Sequence, residues 1–231
     1  MIVYCRRLFL FVFLLVVSVA PVVADEPAWK PLFDGRTLDG WKQRGGVAKY
    51  TVEDGQVVGT CVPNTGNSFL CTDRDYGDFI LELEFKVDPK LNSGIQIRSQ
   101  VFDEPKKFEI GGKKFNIPAG RVHGYQVEID PSDRAWSTGI YDEGRRGWLN
   151  DLKDNEPARK AFRQNEWNKV RVECRGDSIK TFLNDVPAAD LKDSVTPSGL
   201  IALQVHGVGA RKEPMQVRWR NIRIQELPAA K

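Results

Sequence analysis

Residues 124–148 read GYQVEIDPSDRAWSTGIYDEGRRGW, and the opening of this stretch decides the fold class. Apolar Val127 and Ile129 alternate with polar Gln126, Glu128 and Asp130, the period-2 pattern of a strand with one face in a core. Residues two apart along a strand are separated by roughly 6.8 Å, so Gln126, Glu128 and Asp130 make one row of amide and carboxylate groups. Such a strand belongs to an antiparallel sheet, whose second face is ordinarily solvated, and a single polar row could be plain surface.

Two further stretches repeat the pattern with similar residues. In NSGIQIRS (92–99), Ile95 and Ile97 oppose Gln96 and Arg98; in LIALQVH (200–206), Ile201, Leu203 and Val205 oppose Gln204 and His206. Merely solvated strand faces favour Lys, Glu and Thr. The set Gln96, Arg98, Gln126, Glu128, Gln204 and His206 suits gripping hydroxyls and handling one proton, and it forms the candidate site.

Working outward, short runs rich in Val, Ile, Phe and Thr, punctuated by Gly, Pro, Asn and Asp, recur from Tyr50 to Leu227 and predict about ten strands. TVEDGQVVG reads as a hairpin around Asp54-Gly55. Only PARKAF, after Asn155 and Glu156, reads as a helical turn or short helix. The pattern predicts an all-β, two-sheet antiparallel sandwich of jelly-roll type with long loops. One such loop is expected over Gln100–Arg121, where it could cover an end of the polar face. A second, Ser132–Asp154, offers Trp136, Tyr141, Asp142, Glu143, Arg145, Arg146 and Trp148. Aromatic rings beside acids and arginines suit sugars, whose C–H faces stack on rings while hydroxyls take charged hydrogen bonds. The same residues would equally serve a loop pinned by Arg–Asp pairs.

Residues 1–24 read as a cleavable secretory signal, with Arg6 and Arg7 ahead of the apolar run Leu8–Val17 and small residues up to Ala24. The apolar run falls short of the about 20 residues a spanning helix needs. A secreted or periplasmic protein with one β-sandwich domain over residues 25–231 is therefore expected. Of 34 Lys and Arg against 31 Asp and Glu, the leader takes two arginines and no acid, leaving a net charge of +1. That balance gives no electrostatic footing for nucleic acid. Cys61 and Cys71 flank an expected hairpin, and an oxidising compartment would permit a disulfide between them; Cys174 is expected as a buried free thiol. Nothing here requires a cofactor. No ligand spacing diagnoses a metal, although Glu128 and His206 could ligate a divalent cation, and His123 is expected in a turn.

LFDGRTLDGW, NSFLCTDRDYGDFILELEFKVDPKLNSGIQIRS, GYQVEIDPSDRAWSTGIYDEGRRGWL, EWNKVRVECRGDSIKTFLNDVPAADL and GLIALQVHG together resemble the 3-keto-disaccharide hydrolase domain family, also described as 3-keto-glucoside 1,2-lyases and 3-keto-glucal hydratases. The likeness runs from Pro31 to Leu227. It implies a concanavalin A-like lectin/glucanase sandwich with a concave sheet as the ligand cleft, in a protein exported by glycan-degrading bacteria. In the related glucanases a Glu-x-Asp-x-Glu strand carries two catalytic glutamates. Here Gln126 takes the place of an acid in Gln126-Val127-Glu128-Ile129-Asp130, which weakens a retaining mechanism built on two carboxyls about 5–5.5 Å apart.

A 3-keto group acidifies the proton at C2 and allows elimination of the C1 substituent, so a base, an oxyanion stabiliser and a leaving-group acid suffice. On this resemblance Glu128 or His206 acts as base and the other as acid, Arg98 stabilises the enolate oxygen, and Gln96, Gln126 and Gln204 orient hydroxyls. Asp130, Trp136, Asp142 and Trp148 are further substrate contacts. Water added to the glucal completes a net hydrolysis, and a sugar 3-oxidoreductase is the expected supplier of the keto substrate. Competing readings are a non-catalytic carbohydrate-binding module and a structural or adhesion domain.

Overall fold

Strand alternation builds two layers that share one core. In β6 (Phe79–Val87) the odd-numbered residues turn inward and Glu82, Glu84 and Lys86 outward. The eight-stranded sheet runs β15 (Val186–Lys192), β14 (Ser178–Leu183), β13 (Asn168–Arg175), β6, β17 (Gln216–Glu226), β4 (Gln56–Thr60), β3 (Lys49–Glu53), with β1 (Lys30–Pro31) beside β17. The facing seven-stranded sheet runs β12 (Gly147–Asn150), β11 (Ile140–Glu143), β10 (His123–Ile129), β7 (Ser93–Gln100), β16 (Leu200–Val205), β5 (Ser68–Thr72), β2 (Trp41–Gly45). Neighbouring strands are antiparallel. The computed structural model describes residues 1–2 and 27–229. The leader expected over residues 1–24 lies, but for its first two residues, outside them. No helix among the described residues is long and apolar enough to cross a membrane.

Phe79, Leu81, Leu83 and Phe85 pack with Ile95 and Ile97 of β7, Tyr125, Val127 and Ile129 of β10, and Trp219 of β17. Burying each such large side chain stabilises the fold by about 1.5–3 kcal/mol relative to leaving it in water. The hairpin expected at Asp54-Gly55 joins β3 to β4, with both turn residues at positive φ. The helical turn is α1 (Glu156–Ala161), capped by the Asn155 side chain, which accepts from the Ala158 amide at 3.2 Å.

Three expectations are corrected. The stretch Gln100–Arg121 is not an irregular loop: it carries a two-stranded ribbon, β8 (Lys106–Ile110) and β9 (Lys113–Ile117), turning at Gly111-Gly112 with both residues at positive φ. Phe108 and Phe115 stack across it with centroids 6.1 Å apart. Cys61 and Cys71 do not flank a hairpin, because β4 and β5 lie in different sheets. Cys61 belongs to the main core and Cys71 to a smaller cluster with Phe69, Leu200 and Ala202, and both are free. His123 is not in a turn: it opens β10, buried against Phe102 and Phe108. Burial, followed by the nearby Arg145 charge, pushes its pKa down to about 4, so the ring is neutral at ordinary pH. Cys174 is a buried free thiol, as expected.

Candidate active site

The polar rows of β7, β10 and β16 meet because the strands are adjacent in register: Gln126 lies opposite Gln96, Glu128 opposite Gly94, and Gln204 opposite Gly94 on its other side. Gly94 makes the meeting possible. A Cβ there would sit 2.5 Å from the Gln126 side-chain carbon, so only glycine lets the Gln126 amide lie across β7.

That amide is the hub of a directed network. Gln96 Nε2 and Gln204 Nε2 donate to Gln126 Oε1 at 2.6 and 2.9 Å, and Gln126 Nε2 donates to Glu128 Oε2 at 2.7 Å. Ser99 Oγ donates to Gln96 Oε1 at 2.7 Å, and Asn92 Nδ2 donates to Glu128 Oε1 at 2.6 Å. Amide donors polarised in series converge on one carboxylate. Gln204 Oε1 is buried without a protein partner, an acceptor that a donor hydroxyl would satisfy.

Glu128 is almost wholly buried. Burial disfavours its charge more than the bonds from Asn92 and Gln126 favour it, and its pKa rises from an ordinary 4.5 to about 7. Arg134 gives partial compensation: its Nη2 lies 3.9 Å from Glu128 Oε1 and its Nε donates to Asp130 Oδ2 at 2.7 Å. A carboxyl poised near neutrality and facing a cavity has the properties of a general acid or base.

The cavity holds about 300 Å³ and is lined by Asn92, Gln126, Glu128, Arg134, Tyr141, Glu143, Trp148 and His206. His206 Nδ1 lies 2.7 Å from the Gly207 carbonyl. A carbonyl only accepts, so that bond places the proton on Nδ1 and leaves Nε2 as the acceptor of a neutral ring. Glu143 has its pKa raised by burial, opposed by Arg121 and His206. Trp148 meets Tyr141 and Trp136 edge to face, and the Arg134 guanidinium lies over Trp136 and Trp148 at 4.6 and 5.1 Å from their centroids.

Gln96, Gln126, Glu128, Gln204, His206 and Trp148 thus share one face. Trp136 stands behind Trp148. Asp130 lies in the same row but is consumed by its own loop, accepting from Ser132 Oγ at 2.6 Å and from the Trp136 amide. Burial would raise its pKa; the bonds from Ser132, Arg134 and Trp136 outweigh that and hold it low.

Two expected members lie elsewhere. Arg98 adopts φ 45° at a β-bulge, where β7 carries one extra residue against both β10 and β16. The bulge turns its side chain off the polar face and into full burial. There it donates to the Gly77 and Gly176 carbonyls and to Asp78 Oδ1 at 2.7–2.8 Å, tying the two sheets together. Ser99 takes the place that strict alternation gives to Arg98. Asp142 alternates with the cavity residues Tyr141 and Glu143 along β11; it is buried beneath Arg145 and Arg146, accepting from their Nε atoms at 2.8 and 2.6 Å.

The sequence did not single out Asn92 or Arg134, and it offered Tyr141 and Glu143 only as residues of a loop. Extending the 94–96 alternation back by one step reaches Asn92, and applying it along β11 selects Tyr141 and Glu143 over Asp142. Arg134 carries no periodic signal. Glu128 and His206 line the same cavity, while no group of three or more His, Cys, Asp or Glu able to hold a metal is found among the described residues.

A sequence family described as a 3-keto-alpha-glucoside-1,2-lyase-like domain matches residues 28–225. No curated protein matches the chain. Among solved structures, a Bacillus subtilis protein with a galectin-like fold superposes with a TM-score of 0.59 at 11% identity, covering 88% of this chain and 100% of its own. The carbohydrate-binding module CBM66 from Bacillus subtilis gives 0.55 at 18% identity, covering 81% and 96%. The kappa-carrageenase of Pseudoalteromonas carrageenovora gives 0.50 at 12%, covering 90% and 98%. At these identities the likeness establishes a shared sandwich fold.

Proposed function

Because the chain belongs to the 3-keto-alpha-glucoside-1,2-lyase-like domain family, we propose that it is an exported enzyme that cleaves the glycosidic bond of 3-keto-glycosides by elimination and hydration. The observation that carries this reading is Glu128: a buried carboxyl at the end of an amide network, with a pKa of about 7, facing a polar cavity. A module that only held sugar would need hydrogen-bonding groups there, but no carboxyl tuned to exchange a proton at neutral pH. Export rests on the leader-like residues 1–24.

Glu128 in its ionised form takes the proton from C2, and the C2–H electrons form the C2–C3 double bond of an enolate on the 3-keto oxygen. Arg134, the cation nearest Glu128 in the cavity, takes the oxyanion-stabilising role expected of Arg98. The enolate collapses, the C1–O bond breaks, and His206, entering the step as the imidazolium with Nδ1 held by the Gly207 carbonyl, gives its Nε2 proton to the departing oxygen. Water then adds at C1 of the glucal, giving one proton to His206 Nε2 while Glu128 returns its proton to C2, so both groups are restored and the two steps sum to hydrolysis. Trp148 and Tyr141 offer ring faces to the sugar, and Gln126 and Asn92 orient its hydroxyls and the carboxylate together. A sugar 3-oxidoreductase would supply the substrate, since a glucoside without the keto group lacks an acidic C2 proton.

The test is NMR of residues 25–231 in D2O with a 3-keto-glucoside, its unoxidised parent, and a Glu128→Gln variant, with and without added divalent metal. The expected result is cleavage of the keto sugar alone, deuterium at C2, and a loss of about 10²–10⁴-fold in the variant. Binding of unmodified glycans with no cleavage of either sugar would leave a carbohydrate-binding module.

A further inference from the structure

Of the two groups that move protons in this mechanism, Glu128 sits inside β10, whereas His206 lies one residue past the end of β16. Strand pairing stops at Val205, which faces Ser68 on one side and Ser93 on the other. The histidine lines the cavity and is exposed. An exposed imidazole turns freely about its side-chain bonds and, when neutral, carries its proton on either nitrogen, so something beyond the strand must keep Nε2 as the group that meets a sugar oxygen.

Asn67, the residue before Ser68, supplies that hold. Its Oδ1 accepts the Gly207 amide at 3.0 Å, one bond beyond the end of the strand pairing, and the Gly207 carbonyl holds His206 Nδ1 at 2.7 Å. Asn67 is fixed in turn through its main chain, its carbonyl accepting the Gly46 amide at 2.8 Å. A second tie joins the same two loops, from the Asn64 amide to the Gly209 carbonyl at 2.7 Å. The segments close on one another to distances that only glycine permits. A Cβ on Gly207 would meet the Thr65 carbonyl oxygen at 2.7 Å, and one on Gly46 would meet the Gly66 carbonyl oxygen at 2.3 Å. Connecting β16 to β17 asks for none of this, whereas an imidazole that transfers a proton needs a supporting shell that holds it to within about 0.5 Å.

We infer that Asn67 is the positioning residue of His206, fixing the ring through the Gly207 backbone so that Nδ1 keeps its proton on the Gly207 carbonyl and Nε2 is left to the cavity. The inference rests on the glycoside-cleaving reading of the Glu128 cavity. Asn67 does not line that cavity, so it acts only through the histidine. Its loss should therefore matter in proportion to how much the departing oxygen needs a proton. An alkyl alkoxide needs one, and a nitrophenolate leaves without it.

Nitrogen-15 NMR of the imidazoles reads the ring directly, because the chain has two histidines and His123 is buried. Where the ring is neutral, His206 of the unsubstituted protein should show the Nδ1–H tautomer. Asn67→Ala should let the Nε2–H tautomer, the preferred form of a free imidazole, take most of the population, and Asn67→Asp, which keeps an acceptor in place, should restore the Nδ1–H form. In turnover, Asn67→Ala should slow methyl 3-keto-glucoside about tenfold and 4-nitrophenyl 3-keto-glucoside by less than about twofold, with KM unchanged for both and the rate regained in Asn67→Asp. Asn67→Leu, of similar shape but without an acceptor, repeats each measurement if the alanine variant does not fold. A tautomer that stays Nδ1–H without the acceptor overturns the inference, and so does equal slowing of both glycosides, the result of a merely loosened fold. A tautomer shift beside zero turnover of either sugar by the unsubstituted protein defeats the cleaving reading and keeps the anchoring of the ring.

Discussion

On the outer face of the eight-stranded sheet, carboxylates alternate with core residues and are met by arginines; on the outer face of the seven-stranded sheet, a carboxylate alternates with core residues and is met by amides. Glu82 and Glu128 are the paired cases. Each points away from the core on its strand and each is largely buried. Glu82 lies between Arg171 and Arg223, whose hydrogen bonds outweigh the effect of burial and hold its pKa below the ordinary value. Glu128 receives hydrogen bonds from Asn92 and Gln126, which carry no charge, and burial wins. Two faces with the same strand periodicity thus hold opposite proton affinities, because one neutralises its acids with hydrogen-bonded cations and the other supplies amide dipoles, with the Arg134 cation no nearer than 3.9 Å. The first is a way to keep a sheet face soluble. The second leaves a proton exchangeable near neutral pH.

The comparison breaks most visibly at Arg98, which belongs to the fold although its strand belongs to the site. Arg98→Met removes a fully buried ion pair and two carbonyl contacts between sheets, and should cost about 3–5 kcal/mol of stability in denaturant unfolding. The protein that remains folded should cleave substrate at close to the unsubstituted rate; a loss of turnover beyond the loss of folded protein would return Arg98 to the catalytic group.

Glu128→Gln sharpens the contrast through pH. A glutamate whose folded pKa is raised costs stability once pH exceeds its unfolded value, and the cost grows until the folded pKa is passed. Between about pH 4.5 and 7 the unsubstituted protein should therefore lose stability that the glutamine variant keeps. The variant should be more stable by on the order of 3 kcal/mol above pH 7 and show no such advantage below about pH 4.5. Thermal melts across that range read the difference directly.

Gly94→Ala displaces the Gln126 amide without touching a charge. Crowding should cost about 1–3 kcal/mol of stability, and activity should fall by roughly tenfold as the donor to Glu128 is pushed away. If Gln126 is only a bystander, stability falls and activity does not. On the opposite face, Arg218→Ala breaks a half-exposed pair with Glu53 and should change stability by less than about 1 kcal/mol and turnover not at all.

Much of this contrast was legible in the sequence, for a definite reason. Alternation of Val127 and Ile129 with Gln126 and Glu128 needs only a regular strand, and the repeats around Gln96 and Gln204 marked which sheet carries the amides. What periodicity could not carry was its own interruption. Nothing in NSGIQIRS announces that Arg98 takes φ 45°, and one extra residue sends every later side chain to the other face. Asp142 was misplaced for a different reason: it was chosen by chemical type in a segment assumed irregular, although alternation in β11 favours Tyr141 and Glu143. The ribbon β8–β9 was missed because KKFEIGGKKFNI is rich in lysine. Its Gly-Gly turn between alternating apolar residues was the signal available.

The most direct test is carbon-detected NMR titration of the side-chain carboxyls, which reads the glutamates of both faces in one sample. The account predicts Glu128 titrating near pH 7, Glu82 below its ordinary value, and Glu226, held by Arg74 and Lys30, near 2. A Glu128 midpoint at the ordinary 4.5 or lower would mean that its charge is compensated as fully as that of Glu82, and the proton-transfer role built on it would fall.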